Sequence, residues 1–147
     1  MGDVDILVVE DNPHDAEMIL ETLSEQDISS KVLAISDGVE ALDYLFGPQG
    51  CLAKAEVHLP KVILLDLKLP KVSGLEILKR IKSDERTRHI PVVVFTSSDE
   101  AQDRTESYRR GANSYFVKPV HAAAFSRLVA GLRAYWVSMN MTPYDDT

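Results

Sequence analysis

Five polar side chains stand where apolar runs of this chain stop. Glu10 and Asp11 follow Val4-Asp5-Ile6-Leu7-Val8-Val9, and Asp66 follows Lys61-Val62-Ile63-Leu64-Leu65. Thr96 closes Pro91-Val92-Val93-Val94-Phe95, and Lys118 closes Asn113-Ser114-Tyr115-Phe116-Val117. Three carboxylates brought together repel, so at neutral pH either a pKa rises or a cation intervenes. Hard oxygen donors without His or Cys favour Mg²⁺, which takes one or two carboxylates, keeps several waters and often touches a phosphate oxygen. An ammonium and a hydroxyl beside them suit a phosphate. Asp66 has the most apolar approach, where a charge needs a strong reason. A carboxylate there can act as a nucleophile forming an aspartyl phosphate, or merely cap the next turn.

For these residues to meet, the runs that carry them must lie side by side. Between the runs lie amphipathic stretches. Asn12-Pro13 opens one, with Asn12 placed to cap and Pro13 at the first helical position. Its apolar stripe is Ala16, Ile19, Leu20 and Leu23. Val32-Leu33-Ala34-Ile35 is a further strand, followed by Asp37 as a cap and a helix carrying Leu42, Leu45 and Phe46. Later helices carry Leu75, Leu78 and Ile81, then the stretch Asp99 to Arg110 that stops at Gly111, then Phe125, Leu128, Val129, Leu132 and Trp136. Five strands alternating with five helices predict an α/β fold, a doubly wound five-stranded parallel sheet with helices on both faces. Strands apolar throughout fit a sheet covered on both sides. Ligands of such sheets bind at the carboxyl ends of the strands, which gathers Glu10, Asp11, Asp66, Thr96 and Lys118 at one apex.

The chain has 147 residues, room for one ordinary domain. Sixteen Lys and Arg against 23 Asp and Glu leave a formal charge of -7, the wrong sign for a generic nucleic-acid binder. The single Cys51 can form no intrachain disulfide and reads as inert. No signal peptide or membrane-spanning run is evident, so a cytoplasmic protein without membrane contact is expected. Two features exceed a minimal strand–helix alternation: the connection Gly47 to Pro60, and a tail from Ser138 to Thr147. His14, His58, His89 and His121 show no ligand spacing and are expected to face solvent.

The sequence resembles the receiver domain of two-component response regulators, over about Asp3 to Trp136. The matching elements are Val-Val-Glu10-Asp11-Asn12-Pro13, Leu64-Leu65-Asp66-Leu67-Lys68-Leu69-Pro70 with Gly74, Val94-Phe95-Thr96-Ser97-Ser98, and Gly111-Ala112-Asn113-Ser114-Tyr115-Phe116-Val117-Lys118-Pro119. Thr96 lies 30 residues after Asp66, and Lys118 lies 22 after Thr96, as in the family.

The resemblance implies a flavodoxin-like receiver fold with strand order 2-1-3-4-5. It implies Asp66 as phosphoacceptor, Asp11 as a direct Mg²⁺ ligand, Glu10 as a ligand through water, and the Lys68 carbonyl completing the protein's share of the shell. Lys118 would pair with the phosphoryl oxygens, with its bond to Pro119 cis. Thr96 would bond the phosphoryl group, and Tyr115 would follow inward as an aromatic switch, although a strand aromatic is ordinarily packing. The side chains of Lys68 and Ser98 sit where the family tunes phosphate lifetime. The implied donor is a sensor histidine kinase. Such a domain is a signalling phosphoacceptor that catalyses its own phosphotransfer and dephosphorylation, not an enzyme with a separate substrate. The eleven residues beyond Trp136 are too few for a DNA-reading module, so a single domain over 1–147 without an output domain is expected, acting through a downstream protein.

The lengthened connection before the third strand and the aromatic Tyr135-Trp136 resemble stand-alone receivers that partner bacterial phytochromes. Those self-associate through the fourth helix, fifth strand and last helix, which implies a homodimer. Tyr135 and Trp136 could instead finish the core. The polar helix Asp99 to Arg110 has almost no apolar stripe, as suits either a solvated surface or a mobile output face. Three other functions compete. A binding module would not need an intact apex. A phosphohydrolase with an aspartyl nucleophile would carry a second acid where Lys68 stands. A flavin site would be repelled by Glu10 and Asp11.

Overall fold

The computed structural model describes residues 4–26 and 31–143. Its strands are β1 (Ile6–Val9), β2 (Val32–Ile35), β3 (Val62–Leu65), β4 (Val92–Thr96) and β5 (Ser114–Val117). Its helices are α1 (Pro13–Gln26), α2 (Gly38–Phe46), α3 (Gly74–Ser83), α4 (Ala101–Arg109) and α5 (Ala122–Arg133). The strands form one parallel sheet in the order β2-β1-β3-β4-β5. β1, β3, β4 and β5 begin later than their apolar runs, and β2 spans the whole of its own. Asn113, for instance, stands just before β5, donating its amide to Val92 O and accepting the Val92 amide on its side-chain oxygen, both at 2.9 Å.

Alternation along each strand divides the core. Ile6, Val8, Val62, Leu64, Val93 and Phe95 point to the α1–α5 side, where they meet Ile19, Leu23, Phe125, Val129 and Leu132. Leu7, Val9, Ile63, Leu65, Val92 and Val94 point to the other side, against Leu45, Ile77, Leu78 and Ile81 of α2 and α3. Each fully buried aliphatic or aromatic side chain contributes about 1.5–3 kcal/mol.

Local chemistry sets the helix starts. Asn12 caps α1 by accepting the Asp15 amide at 3.0 Å, Asp37 caps α2 by accepting Glu40 N at 2.7 Å, and Ser73 accepts Glu76 N at 3.3 Å. At the end of α4 the chain turns at Gly111 with φ +105°, in the left-handed region that favours glycine. The Lys82 side chain passes beneath Gly111, and its ammonium donates to the carbonyls of Arg88 and Ile90 and to Asn113 Oδ1, at 3.0, 2.7 and 3.0 Å.

Several expectations need correction. Leu20 is 37% exposed rather than part of the buried stripe. With α1 packed against α5, an open groove of about 540 Å³ remains between α1 and the edge strand β2, and Leu20 and Ala34 line it. The last helix does not end before Ser138, because it runs on as a π-helical turn over Ala134–Met139. Thr142 beyond it is buried. The Gly47–Pro60 connection carries a 3₁₀ turn at Cys51–Ala53 that buries Cys51 in the α2–α3 core. His58 is half-buried, with Nε2 3.4 Å from Asp5 Oδ1. His14, His89 and His121 are exposed. Only Ser107 of α4 is buried, as its composition predicts.

Candidate functional site

The parallel register brings the first residues past β1 and β3 into line. Asp66 N donates to Val9 O at 3.0 Å, and Glu10 N donates to Ile35 O at 2.9 Å. Glu10, Asp11 and Asp66 thereby each offer a carboxylate oxygen, all within 4.8 Å of one another. Glu10 and Asp66 are buried and Asp11 is exposed. Local bonds orient two of them. Asn12 N donates to Glu10 Oε2 at 3.1 Å, and Lys68 N donates to Asp66 Oδ1 at 3.2 Å.

Lys118 reaches this cluster from the end of β5. Its ammonium lies 2.6 Å from Glu10 Oε1, 2.9 Å from Asp66 Oδ2 and 2.9 Å from Asp15 Oδ2. Asp15, in the first turn of α1, was not among the expected site residues, because an acid there reads as a complement to the helix dipole. The Lys118–Pro119 bond is trans, against expectation. The two forms of an X–Pro bond differ by only about 0.5–1 kcal/mol, with trans favoured.

Charge and burial oppose each other here. Burial pushes the Glu10 carboxyl up to about 7, with Lys118 pulling it down and the Asp66 charge adding to the rise. Burial also works against the Asp66 charge. The Lys118 ammonium outweighs it, and with the Lys68 amide and the Thr96 hydroxyl holds that carboxyl below the usual range. Burial disfavours the Lys118 ammonium, but hydrogen bonds to Glu10, Asp15 and Asp66 hold its pKa above the ordinary lysine value.

Thr96 is fully buried at the end of β4. Its Oγ1 accepts the Ser98 amide at 3.5 Å. The Ser98 hydroxyl donates to Asp103 Oδ2 at 2.6 Å, which commits it to α4. Half-buried Tyr115 donates its hydroxyl to the Ser98 carbonyl at 2.9 Å. The Lys68 side chain is exposed. A hard divalent cation suits this donor set, which is all oxygen, locally overcharged and balanced only by one lysine.

Residues 6–130 match the model of the response regulator receiver domain. This chain belongs to the response-regulator receiver family. The receiver is 39% identical over 138 residues to a probable methanogenesis regulatory protein, FilR2, of Methanothrix harundinacea, covering 94% of this chain and 86% of that one. It superposes on the phosphorylated cyanobacterial phytochrome response regulator RcpA with TM-score 0.86 and 37% identity, covering 97% of this chain and 99% of that one. A Mn²⁺-bound form of the response regulator Rcp1 aligns with TM-score 0.85 and 33% identity, over 95% of this chain and 99% of that one. The receiver is thus a phosphoacceptor signalling domain of a two-component system, with the divalent-metal binding of its family. No described helix is long and apolar enough to cross a membrane.

Proposed function

We propose that Asp66 is the phosphoacceptor, taking a phosphoryl group from the phosphohistidine of a sensor histidine kinase in a Mg²⁺-dependent reaction. The observation that carries this reading is the cluster of Glu10, Asp11 and Asp66 at the ends of β1 and β3, two of whose carboxylates, Glu10 and Asp66, meet the Lys118 ammonium. An Asp66 oxygen attacks phosphorus in line, the P–N bond breaks, and its electron pair stays on the imidazole. Asp11, Glu10, Asp66 and the Lys68 carbonyl would hold the cation, which neutralises charge developing on the phosphoryl oxygens. Lys118 and the Thr96 hydroxyl would bond those oxygens. The low pKa of Asp66 supports its role, since the attacking group must be ionised.

Signal output follows from the links of Thr96 and Tyr115 to the Ser98 segment. A phosphoryl group that draws Thr96 in changes the loop to which Tyr115 and Asp103 are tied. The exposed side chain of Lys68 and the hydroxyl of Ser98 set water access to the acyl phosphate, and with it self-catalysed dephosphorylation. The output surface is α4, β5, α5 and the π-helical turn that continues α5, where Val117 and Tyr135 are exposed and Tyr135 meets half-buried Trp136 edge-on at 4.8 Å. A groove of about 470 Å³ along Phe116, Leu128, Leu132 and Tyr135 continues this surface, as suits a homodimer. The receiver acts in the cytoplasm through a downstream protein, and the likeness to RcpA supports a phytochrome kinase as its donor.

The test is incubation with a small acyl-phosphate donor and Mg²⁺, read by intact mass. One phosphoryl group is added to the wild type and none to Asp66→Asn. A folded wild type that stays unmodified overturns the reading.

A further inference from the structure

Lys118 has three N–H donors, and three carboxylates from three segments take one each. Two belong to the acidic cluster. The third, Asp15, lies outside it. Its backbone is fixed, because its amide is the one that Asn12 caps. Its side chain spans to a lysine 103 residues away in sequence, where a carboxylate serving only the helix dipole would stay local. Lys118 Nζ is nearly enclosed, with 8% of the side chain exposed.

We propose that Asp15 is a positioning residue for phosphoryl transfer, the one partner that keeps hold of Lys118 while the other two change theirs. The inference rests on Asp66 being the phosphoacceptor. When an Asp66 oxygen forms the P–O bond and the P–N bond breaks with its pair left on the imidazole, Asp66 gives up its carboxylate charge. Its attraction for Lys118 falls accordingly. Glu10 sits in the carboxylate cluster and is drawn to a bound cation. Asp15 takes part in neither event. Its grip keeps the ammonium at the end of β3, with two N–H groups released toward the phosphoryl oxygens. Without it, a flexible four-carbon stem must find that place unaided.

The experiment uses the full chain with an acyl-phosphate donor and Mg²⁺, comparing wild type, Asp15→Ala, Asp15→Leu and Asp15→Asn. Removing an orienting partner of a reacting group typically lowers activity 10–100-fold, so Ala and Leu are expected to slow phosphorylation at saturating donor by about tenfold or more. The Mg²⁺ concentration for half-maximal rate should stay near that of wild type. Asn, which still accepts a hydrogen bond, should recover most of the rate. The Lys118 ammonium signal in ¹⁵N NMR should broaden or vanish in Ala and Leu and persist in Asn. Leu keeps about the bulk of the aspartate side chain, so a folding failure caused by the space that Ala leaves does not decide the comparison. A folded Ala or Leu variant with wild-type rate and an unchanged Lys118 signal overturns the inference. So does a rate loss matched by an equal loss of Mg²⁺ affinity, which would make Asp15 part of the metal shell. An unmodified wild type would instead sink the Asp66 reading, while the Lys118 signal would still report whether Asp15 holds the ammonium.

Discussion

The Tyr115 hydroxyl donates to the Ser98 carbonyl across 2.9 Å, tying the edge strand β5 to the loop that leaves Thr96. Ser98 is a junction. Its amide points to Thr96, its carbonyl takes Tyr115, and its hydroxyl is bound to Asp103 in α4. A displacement of Thr96 would therefore have a path to both a strand and a helix that buries only Ser107.

Tyr115→Phe removes one neutral hydrogen bond from a half-buried ring. It should lower stability by about 0.5–1.5 kcal/mol, seen as a lower urea midpoint with unchanged slope. If the link transmits the signal, phosphorylation of the variant proceeds while the change in α4 amide exchange is reduced. Loss of phosphorylation itself would place Tyr115 in the chemistry rather than in its readout.

Gly74 has no room for a side chain. A β-carbon there would strike the Asp66 carbonyl oxygen and stand 2.6 Å from Leu67 Cα, both backbone. Gly74→Ala must displace the segment that carries Asp66, at about 1–3 kcal/mol for an overpacked site. Phosphorylation should slow along with the loss of stability. Denaturant titration and the rate of phosphate uptake together check this.

Asp84 is expected to make the fold sensitive to acid. Two nitrogens of the Arg86 side chain and the Arg86 amide bond its carboxylate at 2.8–3.0 Å, which holds its pKa well below the usual range. A carboxyl depressed by folding adds stability above its unfolded pKa of about 3.9 and loses it as pH falls through the folded value. The stability gap between wild type and Asp84→Asn should thus be full near neutrality and shrink below about pH 4. Thermal melts of both proteins across that range test it.

Mg²⁺ should stabilise the folded receiver by mass action, by roughly 2.7 kcal/mol at one hundred times its dissociation constant. Asp11 is exposed, so Asp11→Asn should fold normally and lose most of this gain. A melting temperature that rises equally in both would remove Asp11 from the metal shell.

The apex was readable because each of its residues is a polar type ending an apolar run, and a parallel sheet aligns such ends. Asp15 was hidden by its ordinary setting, an acid in a first helical turn, since its partner is identified only once β5 and α1 are both placed. Leu20 shows a different limit. Periodicity tells which way a helix faces but not how far its neighbours cover the sheet edge, and α1 leans toward α5. The last helix was legible as far as Trp136, and it runs on to Met139 because Ala134 to Met139 contains neither glycine nor proline to stop it; apolar spacing could not show that this turn is π-helical. The pairing of His58 with Asp5 needed the connection before β3 to be folded against β1.

The three-way grip on Lys118 also dates the birth of the site during synthesis. Its partners all precede it in synthesis, Asp66 by 52 residues and Asp15 by 103. Until β5 has docked on β4, Glu10 and Asp66 face each other without their counter-ion, and like charges oppose closure of the apex. A nascent or truncated chain is therefore electrostatically unfinished, and competence to react arrives together with the last strand. Contacts of such wide separation also make folding slow relative to a helical bundle of equal size. Reactivity in this receiver is a certificate that folding is complete.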